Sequence, residues 1–245
     1  MKMKKIFPDD FMWGVATSSY QIEGAAFEDG KGLSVWDTFS HEHGRIKNNE
    51  NGDITCDHYH LWKNDIEILN DLGVQAYRLS VSWPRINPTG FYKMPNKKGL
   101  DFYDRLVDNL LEKDIIPFIT LFHWDLPQEL EDKGGWTVRD ITDAFVQYVD
   151  MISRYLGDRV KHWITHNEPW CVSYLGYING QFPPGIKDSW SKSFATVHHL
   201  LLSHGMAIPV IRSNSKDSHI GITLNLNHSI PASSSVHDKE ACHEY

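Results

Sequence analysis

The chain has 245 residues, 41% of them apolar, and a formal net charge of −8 with both signs interspersed. That composition can bury a sizeable core and excludes a compositionally disordered chain. It also lacks the Lys/Arg stripe that phosphate-binding surfaces need, so nucleic acid is not an expected partner.

Three cysteines, Cys56, Cys171 and Cys242, are odd in number and form no CxxC pair, which argues against a disulfide framework. The start, Met1 to Lys5, has the charge of a signal n-region, but Ile6-Phe7-Pro8-Asp9-Asp10 follows where an apolar stretch belongs. No run approaches the ~20 apolar residues of a membrane span. The expectation is a cytoplasmic protein with no membrane partner.

In chain order, Met12 to Ser19 reads as a first strand. Residues 59–72 follow as a helix, with Trp62, Ile66, Leu69 and Leu72 at helical spacing and Gly73 as a C-terminal cap. Gln75 to Ser82 reads as a second strand in which Tyr77, Leu79 and Val81 share one face, and Arg78, Ser80 and Ser82 the other. A helix from Leu100 to Lys113 precedes the strand Ile115 to Phe122. A helix built on Ile141, Phe145, Tyr148, Val149 and Ile152, stopped by Gly157, precedes His162 to Thr165. A helix around Phe194 to Met206 precedes His219 to Leu226, and Ser- and Pro-bearing coil runs on to Tyr245.

Strands alternating with helices favour a parallel α/β barrel, but the count is five strands rather than eight. A complete barrel of this type also takes ~250 residues, so length alone misleads. We expect residues 1–245 to form a single domain, the N-terminal part of a (β/α)8 TIM barrel with about five units present.

Polar residues gather where strands run out. Gln21 follows the first strand, His123 and Trp124 the third, and Asn167 and Glu168 the fourth. Amides and a neutral imidazole both donate and accept, which suits a hydroxyl-rich ligand. Glu168 is the candidate acid. Pro169 is expected to hold its backbone extended, and nearby Trp163 and Trp170 to desolvate its carboxyl.

The segments Phe11-Met12-Trp13-Gly14 through Gly24, Cys56-Asp57-His58-Tyr59-His60, Tyr77 through Arg85, His123-Trp124-Asp125-Leu126-Pro127, and Thr165 to Trp170 stand in family order. Together they resemble glycoside hydrolase family 1, the β-glucosidase family, from about Phe7 to the end. The resemblance implies an eight-stranded barrel, retention of anomeric configuration, and no metal or organic cofactor. It makes Glu168 the acid/base, Asn167 the partner of the sugar 2-hydroxyl, and Gln21 and His123 the partners of distal hydroxyls. Trp124 adds an indole for an apolar sugar face. Arg78 is expected beside the nucleophile, with Trp170 and Tyr174 bordering the aglycone side.

Retaining chemistry needs a second carboxylate ~5–5.5 Å from the first. The family carries it near a seventh strand, in Thr-Glu-Asn-Gly. The similar Asn49-Glu50-Asn51-Gly52 has no strand leading into it and is rejected. The expected function is therefore a retaining β-glucosidase acting on aryl or alkyl β-glucosides and short β-glucans. Its nucleophile would come from a C-terminal part that completes the barrel, and this chain alone is expected to be inactive. A 6-phospho-β-glucosidase and a non-catalytic sugar-binding fragment stand as alternatives. His58, His60, His198, His199 and His204 could suggest a metal, but packing is favoured. Core packing is also preferred for Trp13, Trp62, Trp83 and Trp163. Asp57 and Asp65 read as ordinary acids near a helix start.

Overall fold

The computed structural model describes residues 7–91, 94–226 and 228–244. The charged segment Met1 to Lys5 lies outside them. Five parallel strands, β1 (Gly14–Ala16), β2 (Ala76–Ser80), β3 (Ile116–Phe122), β4 (His162–Asn167) and β5 (His219–Thr223), pair in the order β1-β2-β3-β4-β5. Every neighbour in the sheet is also the next strand in the chain. With a helix in each connection, this is the winding of the first five units of an eight-stranded barrel.

The helices are α1 (Ser19–Ile22), α2 (Val35–His41), α3 (His58–Asp71), α4 (Trp83–Ile86), α5 (Lys97–Glu112), α6 (Gln128–Glu131), α7 (Ile141–Leu156), α8 (Trp190–Asn214) and α9 (Val236–Glu244). The apolar stripe of α7 is complete, with Phe145, Tyr148, Val149, Ile152 and Leu156 all fully buried. Tyr148 stacks on Trp83 at 4.9 Å and 12°. Its hydroxyl donates to the Leu121 carbonyl at 2.9 Å, so a helix residue also serves a strand end. Burial of each such aromatic contributes roughly 1.5–3 kcal/mol, before the cost of ordering the chain.

On β2, Tyr77 and Leu79, with Val81 just past its end, pack into the layer between sheet and helices, while Arg78 reaches across the barrel side to Thr120 and Asn167. Several boundaries differ from expectation. The first strand is three residues long, and Trp13 is 54% exposed in a cluster with Phe7 and Phe11 rather than in the core. Among the described residues β1 pairs only with β2, and its three residues are exposed. Trp62, Trp83 and Trp163 are core residues as expected.

The buried stripe of α3 runs through Tyr59, Trp62 and Ile66, and Leu72 is exposed because the helix has ended at Asp71. Gly73 takes φ +67, the left-handed turn that a C-terminal cap requires. β5 stops at Thr223, leaving Leu224 and Leu226 exposed. Residues 236–244, expected as coil, form α9, none of whose residues is buried.

α8 is longer than expected and, by length and composition, apolar enough to cross a membrane. It nonetheless carries Lys192, Arg212 and an internal Pro209, and it seats Leu200, Ala207 and Ile211 in the core. Its histidines pack. His199 Nδ1 pairs with the Trp136 carbonyl at 2.9 Å and His204 Nδ1 with Thr165 Oγ1 at 2.7 Å. On α3, His58 pairs with Asp65 at 2.6 Å, and His60 lies between Asp57 and Glu28.

Candidate active site

Helix α1 carries Gln21 and is tied down at both ends. At its start, Ser19 N–H donates to Ser80 Oγ at 2.7 Å, and Ser19 Oγ donates to Asp125 Oδ2 at 2.9 Å. Just past its end, the Glu23 carboxylate accepts from Arg85 Nε at 2.9 Å and from Tyr103 Oη at 2.5 Å. Arg85 also donates to the Gly24 carbonyl and lies 4.2 Å above the Tyr59 ring. Most of the pair's polar atoms are thus matched, as a buried ion pair requires, while Arg85 Nη1 is buried without a hydrogen-bond partner among the described residues.

Gln21, His123 and Trp124 line one cavity of about 310 Å³. Trp36 and Phe182, which no motif marked, line it too, as do Tyr20 and the segment Glu50-Asn51-Gly52 of the rejected lookalike. Trp36 and Phe182 meet edge to face at 5.0 Å, and Phe182 lies 5.2 Å from Trp124. Gly52 has a local reason, since a Cβ there would come within 2.5 Å of the Tyr20 ring. The lookalike motif is thus a close loop crossing, with Glu50 exposed and accepting from Asn48.

The His123 ring is pushed down to about 4 by burial, with the Arg78 charge adding to the effect. It is therefore neutral at pH 7. Its Nδ1 is buried without a hydrogen-bond partner among the described residues. Trp124 has φ +78, and its Nε1 donates to the Asn167 carbonyl at 2.8 Å, joining the ends of β3 and β4.

Asn167 reaches the barrel side through an irregularity. The β4–β5 register shifts between Ile164 and Asn167. Thr165 turns to His204 on α8, and His166 turns to Ser203 on α8 and stacks on Phe145 of α7 at 4.5 Å. Two successive residues thus face the helices, and Asn167 emerges on the opposite side. Strict alternation would have put Asn167 on the same face as buried Trp163. Arg78 Nη2 donates to Asn167 Oδ1 at 2.5 Å and Arg78 Nε to Thr120 Oγ1 at 2.9 Å.

Asn167 Nδ2 in turn faces Glu168 Oε2 at 3.3 Å. The Glu168 backbone is not extended: φ is +48, in the left-handed region. Its N–H is held by the Thr223 carbonyl at 2.8 Å, and its carbonyl accepts from Cys171 N–H at 2.9 Å. These bonds impose a conformation that a non-glycine residue before proline would otherwise avoid.

The polar neighbours of the carboxylate are Asn167 and the Cys171 thiol, which donates to Oε2 at 3.5 Å. Burial, and then the Glu168 charge, pushes that thiol up to about 12, so it stays protonated. The expected indole Trp163 is packed outward, its Nε1 donating to Ser215. Trp170 is 45% exposed and stacks on Tyr174 at 4.8 Å and 12°, across the π-helical turn Cys171–Leu175. The structure therefore gathers Arg78, Asn167 and Glu168 into one hydrogen-bonded group, and Gln21, His123 and Trp124 around one cavity. Trp124 joins the two.

The fold is the first part of a parallel α/β barrel, with polar groups gathered at the strand ends. The sequence profile of glycosyl hydrolase family 1 matches residues 3–245, and the chain belongs to that family. It is 54% identical over 239 residues to a 1,4-β-D-glucan glucohydrolase of Thermotoga neapolitana, covering 98% of this chain and 56% of the relative. It is 55% identical over 240 residues to β-glucosidase A of Acetivibrio thermocellus, covering 98% and 53%. Among solved structures, a Thermotoga maritima β-glucosidase in complex with glucoimidazole superposes with a TM-score of 0.93 at 51% identity, covering 97% of this chain and 54% of that one. The chain spans about half the length of the relatives it matches.

Proposed function

We propose that the chain supplies the acid/base half of a retaining β-glucosidase acting on β-glucosides and short β-glucans. The observation that carries this reading is the Arg78–Asn167–Glu168 group at the end of β4. A strand-end carboxylate lies beside an amide whose oxygen is occupied by Arg78 and one of whose N–H groups faces Glu168, which leaves the second N–H for a ligand hydroxyl. Two of the similar proteins bear the names glucan glucohydrolase and β-glucosidase, and a third was solved in complex with glucoimidazole.

In this reading Glu168 protonates the glycosidic oxygen as the bond to the aglycone breaks, then takes a proton from the water that attacks C1. Asn167 Nδ2 holds the 2-hydroxyl, where a contact strengthens as positive charge develops on the ring. Gln21 and neutral His123 hold distal hydroxyls, Trp124 covers an apolar ring face, and the Trp170–Tyr174 pair borders the aglycone. The nucleophilic carboxylate, which Arg78 would keep ionised, comes from a C-terminal part that closes the barrel.

The test is the leaving-group dependence of Glu168→Ala in the completed barrel. Glycosides with poor leaving groups should lose ~10²–10⁴-fold in kcat/KM, the usual contribution of general acid catalysis. Dinitrophenyl glucoside, which needs no protonation, should keep a fast first step and recover turnover with added azide. An equal loss on both substrates, with no azide effect, would reject Glu168 as the acid/base.

A further inference from the structure

Gln21 and His123 come from connections after β1 and β3, which do not pair with each other because β2 lies between them. The ladder therefore does not directly fix their separation. A chain of side-chain bonds does. Ser80, the last residue of β2, donates from Oγ to Ser19 Oγ at 3.0 Å, and Ser19 Oγ donates to Asp125 Oδ2 at 2.9 Å. Ser19 N–H returns to Ser80 Oγ at 2.7 Å. Each hydroxyl has one proton, so the order is determined: Ser80 gives to Ser19, Ser19 gives to Asp125, and the carboxylate only accepts.

Ser19, Ser80 and Asp125 are 3%, 2% and 1% exposed. None of the three lines the large cavity, whereas their neighbours Ser18, Tyr20, Gln21, His123 and Trp124 do. The chain thus runs behind the cavity wall and joins the two segments that form it. Asp125 also adjoins Trp124, which is bonded to the Asn167 carbonyl.

We propose that Asp125 is a positioning residue which, through Ser19 and Ser80, sets the spacing between Gln21 and His123 for sugar binding. This rests on the reading that those two residues hold hydroxyls of one ring. Stability alone is a poor reason for the arrangement. Asp125 Oδ1 is buried without a partner among the described residues, and an unpaired carboxylate oxygen costs more than an apolar pair would.

The experiment joins this chain to the C-terminal half of a family member and measures hydrolysis of 4-nitrophenyl β-glucoside. Ser19→Ala and Asp125→Ala should each raise KM about tenfold, with kcat changed much less, as for a small misplacement of binding groups. The double variant should be no worse than either single, because both remove one linkage. Asp125→Asn, which retains an acceptor for Ser19, should restore KM. An unchanged KM accompanied only by a lower Tm, or fully additive effects, would overturn the proposal. If Asp125→Ala does not fold, Ser19→Ala and Ser80→Ala carry the same comparison. If the wild-type combination hydrolyses nothing, the functional reading has failed, and the clamp is then judged on this chain alone. The side-chain NMR signals of Gln21 and His123 should both move in Ser19→Ala, and unmoved signals would refute it.

Discussion

Arg78 holds Asn167 by its amide oxygen and so turns the amide nitrogen toward Glu168. The two contacts, 2.5 Å from Arg78 Nη2 to Oδ1 and 3.3 Å from Nδ2 to Glu168 Oε2, make the asparagine a bridge of defined polarity. Arg78 manages this because its guanidinium fork also bonds Thr120. Lysine has no fork. We predict that Arg78→Lys lowers kcat/KM of the completed barrel by about 10–100-fold, with a small effect on Tm. Steady-state kinetics and a melting curve check both parts.

Glu131 gives a prediction about stability and pH. Burial is the main cause raising its carboxyl to about 7, outweighing a bond from Tyr177; Asp132 raises it slightly, and Lys192 opposes. A folded-state value above the unfolded one means that the native protein binds more protons between about 4.5 and 7. Stability on this account is greatest below that window and falls as pH rises through it, by roughly 3 kcal/mol at most. Denaturant melts at pH 5 and pH 8 should differ in that direction, and Glu131→Gln should flatten the difference.

His123 gives an opposite case that concerns binding. With the ring pushed down to about 4, it stays neutral from pH 8 to pH 5. Its role as a hydroxyl partner should therefore persist across that range. Calorimetric titration of the completed barrel with a neutral glucose-like inhibitor should give His123 no part in any affinity change between pH 8 and 5, so wild type and His123→Gln should follow parallel pH curves.

The core supplies a stability control. Trp83 is fully buried, stacked on Tyr148 and edge-on to Trp136 and Phe122. Trp83→Ala should cost ~3–5 kcal/mol, whereas Trp170→Ala, at an exposed rim, should cost well under 1 kcal/mol. Chemical denaturation of both variants measures the contrast.

Much of this was legible in the sequence because it is periodic or punctuated. The α7 stripe, Gly73 as a cap and the inward Arg78 all follow from spacing. What escaped depends on departures from period. Alternation along β4 puts Asn167 with Trp163, and the register shift that reverses this arises from Thr165 and His166 both finding partners on α8. Proline after Glu168 suggests extended backbone, but bonds to Thr223 and Cys171 outweigh it. Phe182 and Asn51 join the cavity from loops whose path no local pattern encodes, and Trp36 joins it from the short helix α2. Glu23, Arg85 and Asp125 lay in recognisable motifs, yet their work is to hold Gln21 and His123 rather than to face the ligand.

The most direct test of the central claim is to combine this chain with the C-terminal half of a family member and follow aryl β-glucoside hydrolysis by NMR at the anomeric proton. Hydrolysis should give β-glucose as first product, be absent from either half alone and be lost in Glu168→Gln for poor leaving groups. Hydrolysis that gives α-glucose first, or that persists unchanged in Glu168→Gln, would contradict it.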